Sequence, residues 1–231
     1  MRLLAAALVL IAQTAAAERI TDARYADPTE RYAHGVLGDA IEHGTLELTT
    51  DAGRSLRIVL PESRVFEDTE PRLYDLDGDG APEVIVAESD ANRGARMAVY
   101  STNGLIAATD YIGTRFRWLA IAGAADLDGD GWTEIAFVDR PHLAKTLRVF
   151  RFRGGSLEPV AALRGVTNHR IGERDIAGGI RDCGSGPEIV VADANWREVL
   201  AVRLSRGALS AAPLFAHQGR ESFDRAMSCG N

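Results

Sequence analysis

The sequence predicts an all-β fold of small antiparallel sheets, most simply four units of four strands each. Three observations lead to this prediction. Short apolar runs rich in β-branched residues alternate with Gly- and Asp-rich turns along the chain. An acidic motif recurs after 51 residues, and the last glutamate of a degenerate copy follows 54 residues after that of the second copy. Periods of this size indicate repeated one-sheet units, and no long helical pattern can be placed.

Length and composition are those of an ordinary globular chain with an acidic surface. The 231 residues are enough for one domain with a substantial core or for one repeat array, and 46% are hydrophobic and 26% charged. The formal net charge is −7. Nucleic acids and anionic membranes attract positive surfaces, so the charge argues against either as the main partner.

Residues 1–17 have the layout of a secretory signal peptide. Arg2 supplies a positive start, residues 3–11 are apolar, and small residues precede Ala17, after which we expect cleavage. The apolar run is short for a bilayer span, so no membrane insertion is expected after cleavage; an uncleaved anchor is the alternative. The mature chain, 18–231, is predicted to be one exported domain, periplasmic or extracellular.

Four units follow in order, over residues 32–70, 71–113, 117–165 and 172–216, with a tail over 217–231. The first has two alternating segments around a turn at 51–54 and no acidic loop. The second has an acidic loop and a strong hairpin signal at Asn103-Gly104. The third repeats this plan and includes an alternating strand over 148–153. In the fourth the acidic loop is degenerate.

The acidic motif places carboxylates at loop positions 1, 3, 5 and 9 and a glycine at position 6. Alternate residues of a tight loop can point inward together, and the glycine permits the sharp turn. Crowded carboxylates repel unless a hard cation lies between them, and oxygen donors favour calcium. A Gly- and Asp-rich turn without metal is the alternative. The predicted ligands of two calcium sites, with the position 7 carbonyl included, are Asp75, Asp77, Asp79, Ala81 and Glu83, then Asp126, Asp128, Asp130, Trp132 and Glu134.

These two loops resemble those of FG-GAP/VCBS-type repeats, because each follows a short apolar segment and precedes a β-branched run. The resemblance covers the positions of the two loops, whereas the Phe-Gly and Gly-Ala-Pro signature is poorly kept. It implies β-propeller blades with calcium in the first hairpin loop of a blade. A β-propeller of four such blades is the simplest expectation, since closing a ring covers the end faces of an array. An open array, or two chains that complete a larger ring, is the alternative.

The chain has two cysteines, Cys183 and Cys229. In an exported protein an even pair is typically bridged, and this bridge would close a 46-residue loop and stabilise the fold by about 4 kcal/mol. Free thiols or an intermolecular link are the alternative. Cys183 lies in the degenerate fourth loop, which keeps only Asp182 and Glu188 of the acids, so we expect that loop to hold no metal.

Polar side chains that precede the first strands of the units form a hypothetical pocket at one mouth of a central channel. It would accept an acidic small molecule or a peptide; the alternative is that these side chains are solvated or pair with nearby acids. The residues are His34, Arg72, Arg115, Arg117, Asn168, His169 and Arg170.

Catalytic motifs are not recognisable: Gly184-Ser185-Gly186 is followed by Pro187, which does not fit a nucleophile elbow, and the histidines are scattered. The sequence therefore favours a non-catalytic binding or scaffold module that recognises a protein, a peptide or a small acidic ligand. A propeller-fold hydrolase or lyase with a site at the central channel is one alternative. A structural component that forms homo-oligomers is another.

Overall fold

Antiparallel strands make up most of the chain in the computed structural model, which describes residues 18–230; the predicted signal peptide, 1–17, lies outside the described residues. The all-β prediction is confirmed. The elements are β1 (Ile20–Thr29), β2 (Glu42–Thr50), β3 (Ser55–Val59), β4 (Arg64–Phe66), β5 (Arg72–Tyr74), β6 (Glu83–Asp90), β7 (Gly94–Ser101), β8 (Gly104–Ala108), β9 (Leu119–Ala125), β10 (Glu134–Asp139), β11 (Thr146–Arg153), β12 (Ser156–Arg164), β13 (Val166–Thr167), β14 (Gly179–Asp182), β15 (Pro187–Asp193), β16 (Glu198–Ser205), β17 (Ala208–Ala216) and α1 (Glu221–Met227).

The strands form sheets of eight, four and five strands, rather than the four separate four-stranded sheets that the sequence predicts. The first sheet has the order β1-β2-β4-β6-β7-β8, with β3 beside β2 and β5 beside β6. The second is the meander β12-β11-β10-β9, and in the third β13 and β14 both pair with β15, followed by β16 and β17. The first sheet is large because β4 pairs with both β2 and β6 and so joins two meanders.

The first and last predicted units differ most from the structure. Strand β1 lies outside the predicted first unit; its burial pattern leaves only Ile20 fully inside, so it carries little apolar signal. Residues 32–38 form turns, and Tyr32 and Val36 are buried there. Within the predicted tail, α1 buries Phe223 and Ala226. A helix of seven residues has too few turns to show a clear period in sequence.

Alternate side chains of the central strands pack into different apolar clusters on the two faces of each strand. Ile85 and Ile135 lie in one apolar cluster between the first and second sheets, whereas Val84 faces the β1–β3 side. Val138, on the same strand β10 as Ile135, faces the other side and joins a cluster with Val191 of the third sheet. Because side chains of a strand point alternately to opposite faces, β6 and β10 are covered on both sides.

The far face of the third sheet is covered by α1. Val190 and Ala192 of β15 pack with Phe223 and Ala226 of the helix, and this cluster contains no residue of the first sheet. The disulfide Cys183–Cys229, which the sequence predicts and the structure confirms, ties the chain after α1 to the loop before β15. The helix and the disulfide-bonded segment after it therefore lie on this face of the third sheet.

Candidate metal sites and ligand cavity

Both acidic loops connect the first two strands of a four-stranded meander, which is β5–β8 within the first sheet and β9–β12 in the second. The first loop joins β5 to β6, where Tyr74 pairs with Glu83, and the second joins β9 to β10, where Ala125 pairs with Glu134. In each case the ninth residue of the motif is the first of the following strand. The strand pairing therefore brings the last acid back beside the start of the loop.

Backbone amides inside each loop bind the first aspartate. Asp75 accepts hydrogen bonds from the N–H groups of Gly78 at 2.9 Å and Gly80 at 3.0 Å. Asp126 accepts the equivalent bonds from Gly129 at 2.8 Å and Gly131 at 2.9 Å. All four glycines have positive φ, between 77° and 90°, a conformation that other residues adopt with strain. The same sequence spacing thus produces the same loop twice.

The last acid of each loop is buried and oriented by one backbone bond. Glu83 Oε2 accepts from the N–H of Leu76, and Glu134 Oε2 from the N–H of Leu127, both at 2.9 Å. Glu83 is 6% exposed and Glu134 is not exposed. The second carboxylate oxygen of each glutamate, Oε1, is available to a cation.

Three acids per loop converge as metal-ligand sets. Oxygens of Asp75, Asp77 and Glu83 lie within 4.8 Å of one another, and the equivalent second set is Asp126, Asp128 and Glu134. The fifth-position acids stand outside these sets; Asp79 Oδ1 accepts from the N–H of Ala81 at 2.7 Å, and Asp130 Oδ1 from that of Trp132 at 3.0 Å. The roles of Asp79, Asp130 and the carbonyl oxygens of Ala81 and Trp132 as ligands stay predictions.

The donor sets fit a hard divalent cation. Asp128 Oδ1 is buried and has no hydrogen-bond partner within residues 18–230, an arrangement that costs free energy unless a cation binds the oxygen. In the first loop, burial, together with the charges of Asp77 and Asp79, raises the pKa of Glu83 to about 7. All the converging donors are carboxylate oxygens, which suit calcium better than soft metals.

Arg151 of β11 distinguishes the second loop from the first. Its guanidinium contacts Glu134 Oε1 at 2.6 Å, Asp130 Oδ2 at 2.8 Å and Asp128 Oδ2 at 3.0 Å. It reaches them because Arg151 pairs directly with Glu134 across β10 and β11. The sequence analysis missed this residue, although aligning the hairpin from the alternating pattern of 148–153 would have placed it opposite Glu134.

In the degenerate fourth loop, two arginines contact Glu188, one of the two acids that remain. Glu188 receives Arg181 at 2.6 Å and Arg203 at 2.7 Å. Asp182 Oδ1 accepts from the N–H of Gly184 at 2.7 Å, so this loop keeps a turn like that of the other two. Two guanidinium groups of the chain thus contact both carboxylate oxygens of Glu188.

Two of the predicted pocket residues, His34 and Arg117, line one cavity of about 400 Å³. We call it the aromatic cavity. Its other lining residues are Phe116, Trp118, Arg140, His142, Leu143 and Ile171. His169 lies behind it, 4.8 Å from Trp118 between ring centroids, and Asn168 is fully buried and donates to the carbonyl of Ala120 at 3.4 Å.

The other predicted pocket residues point elsewhere. Arg72 pairs with Asp68 at 2.7 Å and lines a different, polar cavity. Arg170 lies 4.2 Å over the ring of Trp196. Arg115 lies 4.7 Å over the ring of Phe116 and does not line the aromatic cavity. Phe116 and His142 were missed because the cavity combines loops that are distant in sequence.

A chain of hydrogen bonds fixes the protonation of the two histidines. His169 Nε2 lies 2.9 Å from the carbonyl of Glu173 and must donate to it, so Nδ1 of the neutral ring accepts. His142 Nε2, 3.0 Å from that Nδ1, is therefore the donor. Burial, together with the charges of His169 and His34, lowers the pKa of His142 to about 4. His142 is thus neutral at neutral pH.

We expect His142→Gln to reduce the loss of unfolding free energy as the pH falls below 6.5. The pKa of His142 is about 4 in the folded protein and ordinarily 6.5, so the unfolded chain binds the proton more readily. The folded protein therefore loses stability as the pH falls from about 6.5 towards 4. Urea unfolding at pH 7 and pH 4.5, in saturating calcium, should show a smaller loss for the variant. An equal loss in both proteins would contradict the neutral-histidine assignment.

Comparison with known proteins supports the repeat assignment. A family model described as an FG-GAP-like repeat matches residues 75–137, which include both acidic loops. The chain therefore contains an FG-GAP-like repeat, and the resemblance seen in the sequence is confirmed over these residues. No curated protein matches the chain. The described part of the chain has no helix with the length and apolarity that a membrane crossing requires.

Two solved structures with similar folds are rhamnogalacturonan lyases. The exotype lyase YesX is 17% identical, with a TM-score of 0.45 over 77% of this chain and 36% of its own. A lyase from Bacillus licheniformis is 15% identical, with a TM-score of 0.43 over 78% of this chain and 43% of its own. This chain thus spans less than half the length of either protein. Likeness at this level does not bear on its activity.

Proposed function

We propose that the chain is an exported, calcium-stabilised recognition module whose sheets are FG-GAP-type blades of a propeller-like array. One observation carries the proposal: three carboxylates converge in each of two loops of the same geometry, and one of their oxygens, Asp128 Oδ1, is buried without a partner in the described chain. Calcium would neutralise each cluster and hold the loop ends rigid. Binding and scaffolding, rather than catalysis, would be the output.

Export is part of this proposal. Its support is the signal-like sequence of residues 1–17 and the Cys183–Cys229 disulfide, a bond that persists in oxidising compartments. Calcium is abundant outside cells, and extracellular calcium modules typically bind with dissociation constants of about 10⁻⁴–10⁻³ M. Sites of that strength would be occupied after export.

Isothermal titration of the chelator-treated protein with calcium chloride tests the proposal. We expect two sites, of which the first loop is the tighter because no guanidinium of residues 18–230 contacts Glu83, whereas Arg151 contacts Glu134. Asp77→Asn should remove the tighter site and Asp128→Asn the weaker one, since each removes one converging charge. Asp22→Asn, an exposed acid outside both loops, is the matched control. An unchanged isotherm in both loop variants would refute calcium binding at these loops.

A further inference from the structure

We propose that the aromatic cavity binds a small monoanion with a flat apolar body, such as an aryl-substituted carboxylate. The cavity volume of about 400 Å³ falls in the range of small-molecule sites. The proposal rests on the recognition role given above and names its ligand class. It does not rest on calcium, because the cavity shares no residue with the acidic loops.

Exposed apolar side chains are concentrated around this cavity. Residues 18–230 contain seven large hydrophobic side chains that are exposed, and three of them line the cavity. These are Phe116, Leu143 and Ile171, with exposed fractions of 36%, 62% and 71%. Single exposed apolar residues need no explanation, but three from separate loops that converge on one concavity indicate a binding surface. An apolar ligand body would cover them.

The walls of the cavity are flat rings held in fixed positions. The ring of Phe116 stacks on His34, with centroids 4.9 Å apart and planes 17° from parallel. Trp118 lies nearly parallel to His142, at 6.3 Å and 14°. Phe116 has a φ of 62°, which is strained for a residue with a side chain, and its N–H donates to the Tyr32 hydroxyl at 2.7 Å. This backbone conformation and the hydrogen bond to Tyr32 together hold the ring of Phe116 at the cavity.

The charged side chains that line the cavity favour a ligand with a negative charge. Arg117 lines the cavity and forms no ion pair within residues 18–230. The other guanidinium, that of Arg140, is bound to Asp139 at 2.6 Å. His34 contacts the buried carboxyl group of Glu67, whose pKa is raised by burial. The guanidinium of Arg117, unpaired in the described part of the chain and beside aromatic and aliphatic side chains, is complementary to one negative charge, and it disfavours a cation.

Three probes with one skeleton test this inference: 3-phenylpropionate, its neutral amide 3-phenylpropanamide, and the cationic phenethylamine. Titration calorimetry at pH 7 should show that the carboxylate binds at least tenfold more tightly than the amide, and the amine more weakly still. Arg117→Met keeps the apolar stem and should remove the preference for the carboxylate. Arg19→Met, an exposed arginine outside the cavity, should preserve it. Near-ultraviolet circular dichroism checks that each variant is folded.

The apolar part of the site is tested separately with Leu143→Ser combined with Ile171→Ser. Both side chains are largely exposed, so the fold should persist while the carboxylate and the amide both bind several-fold more weakly. The native protein alone can overturn the inference, if 3-phenylpropionate fails to bind or binds no better than the amide. Repeating the titrations with calcium and with chelator separates this outcome from failure of the calcium sites.

Discussion

Removing calcium with a chelator is expected to lower the melting temperature of the native protein by at least about 5–10 °C, which is the contribution of the tighter site alone. With about 10 mM free calcium and a dissociation constant of about 10⁻⁴ M, one occupied site adds about 2.7 kcal/mol to the free energy of unfolding. For a chain of this size, each kcal/mol corresponds to roughly 2–4 °C. Thermal melts followed by circular dichroism, in calcium and in EGTA with matched ionic strength, measure the difference.

The double variant Asp77→Ala plus Asp128→Ala separates the metal effect from other effects of the chelator. It should melt at the same temperature in both buffers, below the native protein in calcium, because each loop has lost a converging carboxylate. Asp22→Ala should keep the native response, since Asp22 is exposed and lies outside the loops. An equal melting temperature of the native protein in calcium and in EGTA would contradict a structural role of calcium.

The loops were predictable because their geometry is local. Asp75 and Asp126 accept hydrogen bonds from backbone amides three and five residues ahead, so residues within the nine-residue motif determine its turn. The last acid, Glu83 or Glu134, needs only the pairing of the two strands that flank the loop. Apolar β-branched runs likewise identified β6, β10 and β15, whose side chains are buried on both faces.

Features that depend on distant contacts were not predictable in the same way. Arg151 lies 17 residues from Glu134 and meets it only through the register of β10 and β11. The aromatic cavity joins loops around residues 116, 142 and 171, and no single stretch of sequence shows them as neighbours. Strand β1 and helix α1 are short or mostly exposed, so tertiary packing decides their conformation more than their pattern does.

The three loops form a series in how their acids are neutralised. Continuing the β6–β7 register places Ser101 opposite Glu83 in the first loop, whereas Arg151 is opposite Glu134 in the second. In the fourth unit Arg203 occupies the corresponding position and contacts Glu188, with Arg181 on the other oxygen. An internal guanidinium and the proposed calcium ion would compete for the same oxygens, so the residue on the neighbouring strand would set how strongly each loop binds metal.

Arg151→Met is therefore expected to change calcium binding and stability in opposite directions. Without the guanidinium, the second loop should bind calcium about tenfold or more tightly, because its carboxylates no longer have an internal cation. In EGTA the variant should lose about 3 kcal/mol of unfolding free energy, since Glu134 is fully buried and loses its ion-pair partner. Calorimetry measures the first effect, and urea unfolding in EGTA and in calcium measures the second.

Arg203→Met is the matched control for this test. It removes a strand arginine at the corresponding position, but Glu188 keeps Arg181 and neither acidic loop is touched. Calcium affinity should therefore stay native in Arg203→Met, and its stability should fall equally in EGTA and in calcium. If Arg151→Met bound calcium no more tightly than the native protein, the guanidinium would be a supporting partner of the second loop rather than a competitor. The strand position opposite the last acid would then not determine metal affinity.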